Sequence, residues 1–186
     1  MTFTTNRFHD VHGTPADSTV GKVRDHMHPW VQEFIRHSPF AVLSTADAEG
    51  NCDASPKGGE PGFVKVLDDR HLILPDVKGN RLFQSYENLD ANPHVALCFL
   101  IPGLAHSARV NGSAETVDLT ALEEREVTAQ VYNPDDRAAL EQGLLITVDE
   151  AYGQCPRALK FSDLWDVDTI AANRAASPIS TKPPGV

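Results

Sequence analysis

The sequence predicts a mainly β fold, an antiparallel barrel of six to seven strands with flanking helices. Short apolar runs recur between tight-turn signals, and the helical patterns between them are brief and fall mostly late in the chain. No strand–helix–strand alternation and no Gly-x-Gly-x-x-Gly occur, which argues against a doubly wound dinucleotide-binding fold.

Residues 1–25 are polar, contain Gly13 and Pro15, and keep no sustained period, so they read as an N-terminal arm. Pro29 then opens a short amphipathic helix, with Trp30, Val31, Phe34 and Ile35 on one face and a stop at Ser38-Pro39. Residues 40–45 and 51–57 form a hairpin about Glu49-Gly50. Gly58, Gly59, Pro61 and Gly62 mark a break before strands at 63–67 and 71–75. Residues 80–92 carry helical spacing through Leu82, Phe83, Tyr86 and Leu89, ended by Asn92-Pro93. The apolar run 94–101 predicts a central strand covered on both sides, and 107–117 returns beside it. Thr120 and Glu123 match a capping box for a helix to about Tyr132, and Asn133-Pro134 opens another closed by Gly143. Residues 144–148 form the last strand and 149–163 mixed loop and helix. The chain from 171 is rich in Ser, Thr, Pro and Gly and predicts a loose tail. One domain, 26–170, lies between arm and tail.

With 186 residues, 41% hydrophobic and 23% charged, the chain is long enough for one sizeable core. Sixteen basic residues against 26 acidic ones give a net charge of −10, which argues against nucleic acid or an anionic membrane surface as a partner. No apolar run is long enough to span a bilayer and no secretory signal is visible. Cys52, Cys98 and Cys155 are odd in number and far apart, which fits a reducing, cytoplasmic setting.

Polar and cationic groups gather at strand ends. Lys78-Gly79-Asn80-Arg81 stands between a strand and a predicted helix, where free amides, the helix dipole and a guanidinium favour a phosphate. Ser55-Pro56-Lys57-Gly58 ends a strand where backbone and short side chains can meet the polar edge of a planar ring. Arg109 and Asn111 flank Val110 and so share one face. Taken singly, each fits a solvated turn, an ordinary cap or a solvent-facing strand.

In order and spacing these motifs, together with Leu74-Pro75-Asp76 and Asn92-Pro93-His94, resemble the FMN-binding split-barrel family typified by pyridoxamine 5′-phosphate oxidase. The resemblance covers roughly residues 34–117 and continues weakly through Cys155-Pro156-Arg157 to Trp165. It implies a homodimer with FMN in clefts between subunits and a small-molecule substrate. Lys57, Asn80 and Arg81, with Lys78 adjacent, match phosphate-binding positions, and Leu74, Pro75 and Asp76 match the ring-contacting strand end. Arg109 and Trp165 fall near second-subunit and C-terminal contacts. Ser55, Pro56 and Asn111 complete the expected cofactor set; catalytic side chains are not identifiable. The function implied is flavin hydride transfer by an FMN-dependent oxidoreductase. A non-enzymatic flavin- or haem-binding protein and a nicotinamide-dependent flavin reductase are the alternatives. After Trp165 no basic residue comes before Arg174, which argues against a vitamin phosphate as substrate. His26-x-His28 and His9-x-x-His12 lack acidic or cysteine partners at metal-binding spacing, so no metal is expected.

Overall fold

The structure, a computed structural model, describes residues 4–136 and 138–181. Seven antiparallel strands make one sheet in the order β2-β1-β5-β6-β7-β4-β3. They are β1 (Phe40–Ala46), β2 (Cys52–Gly58), β3 (Lys65–Val66), β4 (His71–Val77), β5 (His94–Leu100), β6 (Ser107–Asp118) and β7 (Leu140–Gln154). The flanking helices are α1 (Arg7–His12), α2 (Asp17–Val20), α3 (Pro29–His37), α4 (Gln84–Ala91), α5 (Leu119–Glu123), α6 (Arg157–Phe161) and α7 (Val167–Ala175). Among the described residues, no helix is long and apolar enough to cross a membrane.

The sheet curls because one face is apolar throughout. Ala41, Leu43, Leu72, Leu74, Val95, Leu97, Phe99, Ala108, Val110, Leu144, Ile146 and Val148 alternate inward from five strands and pack with Val31, Phe34 and Ile35 of α3. Pro29 occupies the first turn of α3, and His28 Nδ1 accepts the amide of Trp30 at 3.3 Å. Trp30 itself lies over Gly153, where a side chain would collide with its ring. Across β4, Ile73 points the other way and meets Leu122 and Val127, a small second cluster under α5. Curling brings β2, an edge strand, towards β4, although no backbone ladder joins them. That gap is the split in the barrel.

Several expected elements differ. The helix foreseen at 80–92 begins only at Gln84, because Arg81 (φ 64°) and Phe83 (φ 50°) are left-handed and cannot continue a helical turn. Asn80 instead closes a local turn, its Oδ1 accepting the Leu82 amide at 3.0 Å. The helix from Thr120 is one short turn, 119–123, capped by Asp118, whose carboxylate accepts the Ala121 amide at 2.8 Å. The helix from Asn133 to Gly143 is absent among the described residues. Arg137 lies outside them, and β7 starts at Leu140 and absorbs Gly143, whose missing side chain admits the Leu74 carbonyl. β7 also runs on to Gln154, past the expected end at 148. β5 is buried on its inner face only, since Ala96, Cys98 and Leu100 remain partly exposed. The stretch expected as strand 63–67 pairs only at Lys65–Val66.

The arm carries α1 and α2, and Arg24 bridges to Ala151 of β7. Helix α7 reaches Ala175, inside the segment expected to be loose, and residues 182–186 and 1–3 lie outside the described residues.

Candidate functional site

The split between β2 and β4 opens into a cleft of about 270 Å³, closed at one end by the loop 77–83 and the first turn of α4. Two chain segments build it, 53–57 of β2 and 76–86, which runs from the end of β4 through the loop into α4. From β2, Asp53, Ser55 and Lys57 project to one side at every second residue. From β4, Asp76 projects beside the core residues Leu72 and Leu74, at the point where the pairing with β7 shifts register. Such irregularities re-aim side chains at the edges of sheets. From the loop and α4 come Asn80, Arg81, Gln84, Ser85 and Tyr86.

The walls are tied together by side-chain contacts. Ser85 donates to Asp53 Oδ2 at 2.9 Å, joining α4 to β2. One turn on, Asn88 Nδ2 donates to the buried Thr45 Oγ1 at 2.9 Å, fixing the same helix on β1. Lys57 Nζ stands 3.6 Å from Asp76 Oδ1 and so spans the split. The part-buried Tyr86 phenol stands near Asp76 and Gln142. Burial, first, and then the Asp76 charge hold the Tyr86 phenol protonated far above its ordinary range. Phe83 meets the Tyr86 ring edge-on at 6.1 Å between centroids. Arg81 is exposed and has no carboxylate partner among the described residues.

Six of the residues singled out from sequence line this one cleft: Ser55, Pro56, Lys57, Asp76, Asn80 and Arg81. Leu74 is instead a core residue at 2% exposure, and Pro75 faces a smaller hollow beside Ala129–Val131. Lys78 lines a shallow depression with residues 131–135. Arg109 and Asn111 do share a face, and it is the outward face of β6: Arg109 lies 5.4 Å from the Tyr152 ring centroid, and Asn111 donates to Glu150 at 2.9 Å. Trp165 donates its indole N–H to the Leu104 carbonyl at 3.0 Å, far along the chain from the cleft residues. Sequence reasoning misses Asp53, Ser85 and Tyr86, and it reads Tyr86 only as part of an apolar helix face.

The family described as pyridoxamine 5′-phosphate oxidase matches residues 27–155, more than half of the sequence and all seven strands. The chain belongs to that family. A pyridoxamine 5′-phosphate oxidase-like protein of Lactobacillus delbrueckii superposes with a TM-score of 0.50 at 22% identity, covering 69% of this chain and 95% of that one. A single-residue variant of HupZ from Group A Streptococcus gives 0.49 at 18% identity, over 69% and 99% of the two chains. A protein of Bacteroides thetaiotaomicron described for 5-nitroimidazole antibiotic resistance gives 0.47 at 16%, over 71% and 86%. No curated protein matches the sequence. The superposition on the Lactobacillus delbrueckii protein, with the family match, establishes the split-barrel fold.

Three of the four paired histidines, His9, His26 and His28, make local hydrogen bonds. His9 closes a capping box with Asn6 at the start of α1, and His26 bonds Asp25 at 2.8 Å. Among the described residues, no three His, Cys, Asp or Glu side chains gather as a metal site.

Proposed function

We propose that this protein is an FMN-dependent oxidoreductase that works as a homodimer on a small organic substrate. The observation that carries the reading is the cleft at the split, which gathers a guanidinium with no carboxylate partner among the described residues, a lysine, short hydroxyl and amide side chains and the first turn of a helix. That donor set suits a phosphate joined to a planar ring with a polar edge. Arg81 and Asn80 would hold the phosphate beside the opening amides of α4, with Lys57 close by in the same cleft. Ser55 and Pro56 on β2 would border the ring, opposite the strand end at Asp76. Family membership supports the cofactor class, and FMN bound there would supply hydride transfer. The chain's own groups would bind, orient and shield it from water.

A dimer is the second part of the proposal. Val42, Ala96, Cys98 and Leu100 leave an incompletely buried apolar strip on the outward sheet face, and Arg109 stands on that same face. The three cysteines are free, in keeping with a cytoplasmic setting.

Titration of apoprotein with FMN and with riboflavin, followed by flavin fluorescence, tests the cofactor assignment. About one FMN per chain and clearly weaker riboflavin binding are expected, because riboflavin leaves Arg81 without its anion. Equal affinities would remove the phosphate from this cleft. Light scattering at micromolar concentration should report a dimer, and a monomer holding FMN at full strength would exclude the two-subunit arrangement.

A further inference from the structure

Lys57 and Arg81 are the two cations of the cleft, and they differ in one respect. Arg81 is exposed and has no carboxylate partner among the described residues, whereas Lys57 is about one-fifth exposed and paired with Asp76. Asp76 also lies beside the part-buried Tyr86 phenol in the cleft wall. A carboxylate paired with an ammonium across the split cannot swing away without breaking that ion pair. It therefore stays in the cleft and offsets most of the field that Lys57 would otherwise present to an entering anion.

From this arrangement we infer that Asp76 is a specificity-determining residue that sets how much negative charge the cleft accepts. With Lys57 neutralised, the pull on anions comes from Arg81 and the adjoining amides and works against the second cleft carboxylate, Asp53, which is bonded only by the neutral Ser85 hydroxyl. The cleft then takes a ligand with one phosphate whose remaining part is uncharged and hydrogen-bonding, and disfavours ligands with a second anionic group. This deepens the phosphate-and-ring reading of the site and rests on it for the ligand class. The Lys57–Asp76 neutralisation itself belongs to the protein without ligand.

The test uses ligand-free full-length protein, its Asp76→Asn, Lys57→Met and doubly substituted forms, and three probes: FMN, riboflavin and inorganic phosphate. Asp76→Asn should raise the FMN-to-riboflavin affinity ratio about tenfold and tighten inorganic phosphate by a similar factor, because Lys57 is freed. Lys57→Met alone should lower the ratio. The double variant should return within about threefold of wild type, the signature of two coupled residues. Asp76→Ser, which removes the charge with less demand on hydrogen-bond geometry, repeats the measurement should Asp76→Asn fold poorly. If phosphate and the ratio are unchanged or weaker in both Asp76 variants, the inference falls. If no flavin binds to any form while phosphate still tightens on losing Asp76, the flavin reading falls and the charge-setting role stands.

Discussion

Replacing Arg81 separates ligand binding from folding, because the same residue carries an unpaired charge and a strained backbone. Its φ of 64° lies in the left-handed region, which costs a residue with a Cβ about 1 kcal/mol or more. The side chain is exposed and pairs with no carboxylate among the described residues, so removing it should leave the empty protein's stability nearly unchanged. Arg81→Ala keeps the strain and loses the guanidinium. Arg81→Gly relieves the strain, while the extra freedom of the unfolded chain takes back about 0.4–1 kcal/mol. Apoprotein stability is therefore expected to run Gly at or slightly above wild type, then wild type and Ala together, all within about 1 kcal/mol. FMN affinity should fall in both variants by about 2–4 kcal/mol, since each charged hydrogen bond to phosphate contributes roughly 1.5–3 kcal/mol. Arg81→Lys should recover only part, lacking the bidentate fork. Calorimetry with FMN, beside urea unfolding of each apoprotein, reads both quantities. Wild-type affinity in Arg81→Ala would remove the residue from the site. A large loss of apoprotein stability would instead make Arg81 structural and refute the separation.

Asn88→Ala should cost about 1–3 kcal/mol in urea unfolding, because Thr45 Oγ1 would be left buried without its donor. Little loss would mean that water replaces the amide. Gly112→Ala should destabilise by about 2–3 kcal/mol, since a Cβ there meets the Thr147 carbonyl at the β6–β7 bulge, and backbone on both strands must shift; a melting temperature equal to wild type would contradict that close approach. Asp25 is held down to about 2 from its ordinary 3.8, first by the His26 hydrogen bond and then by that of Arg70. A depressed carboxylate stabilises above its unfolded value and loses that contribution as pH falls, so Asp25→Asn should flatten the stability decline between pH about 4 and about 2. An unchanged slope in acid unfolding would show that the contact contributes nothing in solution.

Which parts of this architecture are legible in the sequence follows from how local their causes are. The hairpin at 40–58, the strands at 71–77 and 94–100 and the helix at Pro29 announce themselves through alternation, turn residues and a first-turn proline. The cleft is legible to the extent that strand ends and one loop carry its polar groups. The left-handed turns at Arg81 and Phe83 are not, since nothing in an arginine or a phenylalanine signals positive φ, and Leu82 and Phe83 imitate a helix face that the structure leaves exposed. β7 is hidden for a different reason. Its first residues, Leu140-Glu141-Gln142-Gly143, are mostly polar or small because they cross the register shift opposite Asp76. Long-range pairing with β4 and β6 makes them a strand, and pairing over that distance leaves no local trace. Tyr86 escapes notice because its hydroxyl acquires meaning only when the fold brings the end of β4 beside α4 in the cleft.

The residues that fall outside the cleft are informative in the same way. Arg109 stands half-buried on the outward face of β6, against Tyr152 and beside the apolar strip of β1 and β5, with no carboxylate ion pair among the described residues. Asn111, one step along the same face, has a side-chain oxygen that is fully covered and accepts no hydrogen bond. Polar groups placed this way cost stability in an isolated chain, of order 1–3 kcal/mol for a buried acceptor without a donor. A strip of apolar surface bearing an unneutralised guanidinium is a poor solvent face and a good interface, because aromatic and arginine side chains are the groups that interfaces favour. The proposed dimer gives these costs a purpose: one chain would supply Asn80 and Arg81 at the split, and a second copy would bring Arg109 and its surrounding face. The cations that one chain holds on two separate surfaces would then serve a single anionic ligand.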